Sequence, residues 1–113
     1  RYKKLIVWQR ADELAYKIYS ESKEFPREET YSITSQLRRA ALSVPNNIVE
    51  GYARQGSSGL RHHVNIALGS LGEVEYLLEF CFRLGYFEEA IFRKLEYLRG
   101  EVGRLLWKFY ESL

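Results

Sequence analysis

The chain has 113 residues, of which 46% are hydrophobic and 28% charged, with a formal net charge of +2. That is one domain's worth of chain, with enough apolar content for a core and too much for a disordered segment. No run of about 18 apolar residues is present, which excludes a membrane-spanning helix, and the small net charge does not by itself demand a nucleic-acid partner. The basic start, Arg1-Tyr2-Lys3-Lys4, lacks the apolar stretch of a secretory signal. The sequence contains no methionine, so the native start is expected to precede Arg1. A single cysteine, Cys81, cannot form an internal disulfide and fits a reducing cytoplasm. Set among Leu77, Leu78, Phe80 and Phe82, it reads as a buried thiol rather than a nucleophile.

The first predicted helix covers about residues 7–24, where Trp8, Ala11, Ala15, Ile18, Ser22 and Phe25 recur in steps of three and four. Phe25-Pro26 ends it, because the residue before a proline avoids the helical region. Residues 26–30 connect to a second helix, with Glu28 and Glu29 placed where the helix dipole favours acids. That helix, over residues 30–53, carries two stripes. Ile33, Leu37, Ala41, Val44 and Ile48 make an apolar face, and Gln36, Arg39, Ser43, Asn47, Glu50 and Arg54 make a polar one. Pro45 removes one helical donor and presses on the carbonyl of Ala41. A kink rather than a stop is expected, since the apolar stripe keeps its phase across it.

Residues 54–59 form a short turn, with Ser57 or Ser58 the expected cap of the third helix. Helices two and three are therefore antiparallel neighbours. The third helix runs to about Leu84, and Gly85 supplies its left-handed cap. The fourth carries Ile91, Leu95, Leu98, Val102, Leu105, Phe109 and Ser112 on one face. No strand is predicted. The fold class is all-α, an antiparallel up-down four-helix bundle forming a single domain.

The run Gln36-Leu37-Arg38-Arg39-Ala40-Ala41, followed by Ser43-Val44-Pro45-x-Asn47-Ile48-x-Glu50-Gly51, resembles the signature of a four-helix-bundle family. Its members include the S23-type proteins encoded in intervening sequences of bacterial 23S ribosomal RNA genes. Leu5-x-Val7-Trp8, Phe25-Pro26-x-x-Glu29 with Tyr31, and Ile66-Ala67-x-Gly69-Ser70-Leu71-x-Glu73-x-Glu75 match in the same order, so the resemblance covers most of the chain. It implies an up-down bundle that assembles as a homo-oligomer, in the form of a five-membered ring. The family is also similar to the accessory protein of diversity-generating retroelements. That similarity implies a basic nucleic-acid-binding surface and a protein partner such as a reverse transcriptase. The resemblance specifies a fold more closely than a function, and the low net charge and acidic third helix depart from the basic accessory protein.

With the turn centred near residue 56, Ala40 is expected to face Gly72, Ser43 to face Gly69, and Asn47 to meet Asn65 or Ile66. Small residues opposite one another allow two helix backbones to approach closely. The same register sets Arg39 opposite Glu73. A partly buried ion pair is expected there, with Gln36, Ser43, Asn47, Glu50 and Ser70 filling its hydrogen-bond needs. Such a polar seam fixes helix register; the alternative is a phosphate or substrate site.

Catalytic chemistry finds little support. His62 and His63 are adjacent and point about 100° apart on a helix, so they do not clamp a metal together. The di-iron bundle motif needs Glu three residues before His, and Gly59 and Leu60 occupy those positions. Gly51 and Gly56 belong to no phosphate loop. Glu50, Glu73 and Glu75 make no acid/base pair. The reading is a non-enzymatic protein without metal or cofactor.

Charge distribution is more informative than its sum. Residues 1–10 carry four bases and no acid, and residues 35–65 four bases and one acid, whereas residues 66–90 carry one base and five acids. Lys3, Lys4, Arg38, Arg54, Arg61 and His62 are the candidate contacts to RNA or DNA phosphates. The chain also holds seventeen aromatic residues (2 Trp, 9 Tyr and 6 Phe), more than four core stripes need. Phe92, Tyr97, Leu106, Trp107 and Tyr110 lie off the main stripe of helix four and suggest an assembly surface, although aromatic side chains also stack on bases. Two functions follow: nucleic-acid binding through a basic surface, or a protein-interaction scaffold without nucleic-acid contact.

Overall fold

The computed structural model describes residues 1–54 and 56–113, with every side chain among them except that of Ser57. Helix α1 spans Ile6–Glu21, α2 Ile33–Ala53, α3 Ser57–Arg83 and α4 Glu89–Glu111. Each packs on its neighbours in a square, α1 on α2, α2 on α3, α3 on α4 and α4 back on α1, in a body of 43 × 25 × 20 Å. Contacts across α1–α4 and α3–α4 run antiparallel. Arg10 pairs with Glu101 at 3.3 Å, and Arg99 with Glu75 at 3.4 Å. The all-α, up-down four-helix bundle is thus the observed fold.

Helix boundaries follow local chemistry. The last predicted turn of α1 tightens into a 3-10 turn, Ser22–Glu24, before Phe25 goes extended ahead of Pro26. Helix α2 runs through Pro45 without stopping. Gly56, with φ of 88°, is the N-cap of α3, which begins at Ser57. The cap expected from Ser58 therefore gives way to a glycine with positive φ. The one expected from Ser57 falls on a side chain that, like Gln55 of that turn, lies outside the described residues. Gly85, with φ of 82°, closes α3 as expected. Its N–H donates to the Phe82 carbonyl at 2.9 Å and that of Tyr86 to the Cys81 carbonyl at 3.0 Å, the paired bonds of a Schellman cap.

The core is the sum of the four apolar faces. Leu14, Ile18, Leu37, Val44, Ile48, Val64, Val74, Leu78, Val102 and Leu106 are fully buried. Leu106 is thus core rather than interface. Near its C-terminus α4 turns Leu106 fully inward, while Leu105 and Phe109 are half-buried and Ser112 is exposed. Phe92 also stays within the fold, stacked on Phe82 with ring centroids 4.4 Å apart. Tyr97 and Trp107 do stand out in solvent.

Two expected roles exchange. Arg38, a candidate phosphate contact, is half-buried. Its Nε donates to Ser22 Oγ at 2.8 Å and its Nη2 to the Tyr19 carbonyl at 3.2 Å, with the guanidinium over the Tyr19 ring. It fastens α2 to the end of α1. Arg39, expected in a partly buried pair with Glu73, is exposed, as is Glu73, and the two form no ion pair. Two residues beyond the inward-facing Leu37, Arg39 lies some 200° around the helix and faces water. Arg38→Ala is expected to destabilise the fold by about 1–2 kcal/mol in urea unfolding, and Arg39→Ala by less than about 0.5 kcal/mol. Equal losses would contradict these assignments.

Candidate nucleic-acid interface

Alternating helix directions bring the start of α1, the end of α2, the start of α3 and the end of α4 to one end of the bundle. Lys3 and Lys4 sit there on a 3-10 turn, Tyr2–Lys4. The turn is docked rather than loose. Tyr2 packs edge-on against Trp8 at 5.1 Å, and Gln9 Nε2 donates to the Lys3 carbonyl at 2.8 Å. Arg54 follows the end of α2, and Arg61 and His62 lie in the first turns of α3. Five of the six candidate contacts therefore share this end, and Arg38 does not.

Arg104 and Lys108, on the last turns of α4, join them and are exposed. The sequence reading passed over both, because nothing local marks them. Among the described residues, Lys3, Lys4, Arg54, Arg61, Arg104 and Lys108 have no carboxylate partner within ion-pair distance, as is also true of Lys23, Arg27, Arg39, Arg83 and Lys94 elsewhere, whereas Arg10, Lys17, Arg93 and Arg99 have one. Glu50, Glu111 and Glu101, the last paired with Arg10, are the acids closest along the chain. At the opposite end stand Glu21, Glu24, Glu28, Glu29, Glu88 and Glu89, interrupted by Lys23, Arg27, Arg83 and Arg93. The bundle is charge-polarised along its length.

The polar seam between α2 and α3 is shorter than expected and differs in membership. Ser43 Oγ and Ser70 Oγ are 2.8 Å apart. Asn47 Nδ2 donates to the Ser43 carbonyl at 2.8 Å and contacts Ser43 Oγ at 3.0 Å, and Asn47 Oδ1 faces His63 Nδ1 at 2.9 Å. A carbonyl only accepts, so the Asn47 amide nitrogen must face Ser43, and its oxygen then requires His63 to carry a proton on Nδ1. His63 is buried while His62 is exposed, a split that follows from their divergence on the helix. Gln36 and Glu50, like Arg39 and Glu73, are exposed and outside this network. His63 replaces them; its signal in the sequence was its place three residues before Ile66 on the face opposed to Asn47.

Close helix approach occurs at Gly51, not at Gly69 or Gly72. A Cβ on Gly51 would lie 2.8 Å from Leu60 Cδ1 and 3.3 Å from Leu60 Cα, whereas one on Gly69 or Gly72 would meet nothing within 4 Å. The observed register, Ser43 with Ser70 and Asn47 with His63, lies within a residue or two of the expected one, but Gly69 and Gly72 turn outward.

The remaining reactive groups have structural partners. Burial pushes the Cys81 thiol up to about 12, with the Glu29 carboxylate adding to the effect; such a thiol is inert at neutral pH. The Tyr86 hydroxyl donates to Glu29 Oε2 at 2.7 Å. That bond, helped by Ser32, holds the Glu29 carboxyl below its usual range and raises Tyr86 to about 12. Among the described residues no cluster of His, Cys, Asp and Glu is placed to hold a metal ion, and no helix is long and apolar enough to cross a membrane. Open grooves of about 560 Å³ between α1 and α2 and about 420 Å³ between α3 and α4 bring no nucleophile to a base.

Fold and surface together define a helical bundle with one cationic end and no assembled catalytic constellation among these groups. The family described as 23S rRNA-intervening sequence protein matches residues 3–108, and the chain belongs to that family. Its fold is similar to that of a crystal structure of a protein with unknown function from the S23 ribosomal protein family of Bacteroides thetaiotaomicron VPI-5482. The two share 25% identity at a TM-score of 0.86, over 94% of this chain and 96% of that one. No curated protein matches the chain.

Gly51→Ala is expected to cost about 1–3 kcal/mol, because the new methyl meets backbone as well as side chain. Gly69→Ala is expected to stabilise the isolated fold by about 0.5–1 kcal/mol. Thermal or urea unfolding of the two variants checks the order; a neutral Gly51→Ala would contradict the close approach.

Proposed function

We propose that this protein is a non-catalytic nucleic-acid-binding bundle that holds RNA or DNA by its phosphates at the cationic end. The observation that carries the reading is the convergence of Lys3, Lys4, Arg54, Arg61, Arg104 and Lys108, without carboxylate partners, from four different helix ends. Cations spread through the sequence gather into one patch, and six of the fifteen acids gather at the far end, with Glu50 and Glu111 at the cationic end itself. A polyanion therefore meets an attractive face and a repulsive one, which orients the complex as well as binding it. Phosphate contacts of this kind carry no base sequence.

Fluorescence anisotropy of labelled RNA and duplex DNA over a salt series tests the reading. Binding should weaken with salt along a log–log slope of about −3 to −5, and Arg54→Glu with Arg61→Glu should reduce its magnitude by about 2. No binding at low salt by folded protein, or a slope unchanged by the double reversal, would overturn it.

A second reading, self-association, has its own support on the outer face of α3. Ile66 and Tyr76 are 40% and 56% exposed there, and Gly69 and Gly72 lie on the same face with open space where a side chain would stand. Glycine inside a helix costs about 1 kcal/mol against alanine, and nothing within the chain requires it at either position. A homo-oligomer, such as the pentameric ring that the resemblance implies, would explain both glycines by approach from another subunit. Sedimentation velocity should then show an assembly that Gly69→Arg reduces to monomer. A wild-type protein that is monomeric at micromolar concentration would remove this reading. It would not touch the first.

A further inference from the structure

The cationic end carries an aromatic cluster that phosphate binding does not use. Trp107 is 51% exposed on the penultimate turn of α4. One turn later its neighbour Tyr110 lies 5.6 Å away, with the rings inclined by 33°. Tyr110 is held in place from α3. The Arg61 guanidinium lies over its ring, 4.3 Å from the centroid, and Arg61 Nη2 donates to its hydroxyl at 3.0 Å. One face of this step is therefore fixed by a cation, and the tryptophan beside it is open to solvent. Arg104 precedes Trp107 by one turn and Lys108 follows it directly, both exposed.

We infer that Trp107 and Tyr110 form a stacking platform for unpaired bases, so that the cationic end selects single-stranded nucleic acid over duplex. The inference rests on the reading of that end as a phosphate-binding surface. Its added content is the class of nucleic acid. A tryptophan half in water serves no core, and its surroundings exclude most occupants. Arg61, Arg104 and Lys108 call for a partner that is anionic; of the acids within a turn of them on α4, Glu101 is paired with Arg10 and Glu111 stands alone. The indole calls for a partner with a planar apolar face. A nucleotide strand with free bases supplies both, phosphates for the cations and a π-face for the ring. A duplex supplies only phosphates, since its base faces are stacked on one another. Tyr97, though 74% exposed, lacks this setting. It lies nearer the middle of α4, between Arg93 and Glu101 on the same helix face.

Anisotropy titrations with a short mixed-sequence RNA, and with the same RNA annealed to its complement, test the platform. They are run on the wild type, Trp107→Ala and the control Tyr97→Ala, alongside intrinsic tryptophan fluorescence. The expected result is quenching of the indole emission by the single strand and not by the duplex. Trp107→Ala should lose about tenfold in single-strand affinity and abolish that quenching, with duplex affinity within twofold of wild type. Tyr97→Ala should match the wild type throughout. An unchanged single-strand affinity in Trp107→Ala, or equal losses for both probes, would overturn the platform and leave the phosphate-binding reading standing. Failure of the wild type to bind either probe would overturn both.

Discussion

The contact on which the rest of the structure depends is the close approach of α2 and α3 at Gly51. The absence of a side chain there lets Leu60 and His63 seat against the α2 backbone. Only at that separation do Asn47 and His63, and then Ser43 and Ser70, come within hydrogen-bond distance. The polar chain fixes the register of the two longest-facing helices, and a register error would leave buried Asn47 and His63 without partners, which is costly in a low-dielectric seam. The hairpin also decides the geometry of the surface. Closed tightly, it places Arg54 and Arg61 at one end. The start of α1 and the end of α4 then join them, because an up-down bundle has no other place to put them.

The sign of that end comes from side chains rather than from helix dipoles. Two helices begin and two end there, so their dipoles largely cancel. What remains is a set of Lys and Arg outside ion-pair distance of any carboxylate, more numerous than the acids Glu50 and Glu111 that share that end, while six acids cluster at the other. A net charge of +2 conceals this separation. For a polyanion the local field matters more than the sum, and field falls off over a Debye length of about 8–10 Å at physiological ionic strength, well short of the 43 Å long axis. The cationic end thus acts as a basic surface although the molecule as a whole is close to neutral. In the proposed reading, Trp107 and Tyr110 add to it a preference that charge alone does not give.

Helix number, order and turns were legible because period-3.6 apolar stripes, Pro26 and Gly85 are local signals with local causes. The α2–α3 register was legible too, since a short turn leaves little freedom. Which residues of each helix face the neighbour was harder. Arg39 and Gln36 follow three- and four-residue steps as well as Ser43 and Asn47 do, yet Gln36 and Arg39 are exposed while Ser43 is half-buried and Asn47 buried. His63 was hidden behind His62, since adjacent histidines look alike until one is buried. Arg38 looked like a surface cation because its partners, Ser22 Oγ and a backbone carbonyl, leave no mark in a charge pattern. Arg104 and Lys108 were invisible for a different reason: they belong to the candidate site through topology, and no motif spans four helix ends.

The central claim is that one end of this bundle, and no other surface, receives nucleic acid. Amide chemical-shift mapping of the labelled protein with a short RNA tests it most directly. The account predicts that shifts concentrate at Lys3 and Lys4, around Arg54 to His62, and from Arg104 to Tyr110, with the acidic end around Glu28 and Glu88 unaffected. Shifts centred on the outer face of α3 around Gly69 and Tyr76, or spread over both ends alike, would contradict it.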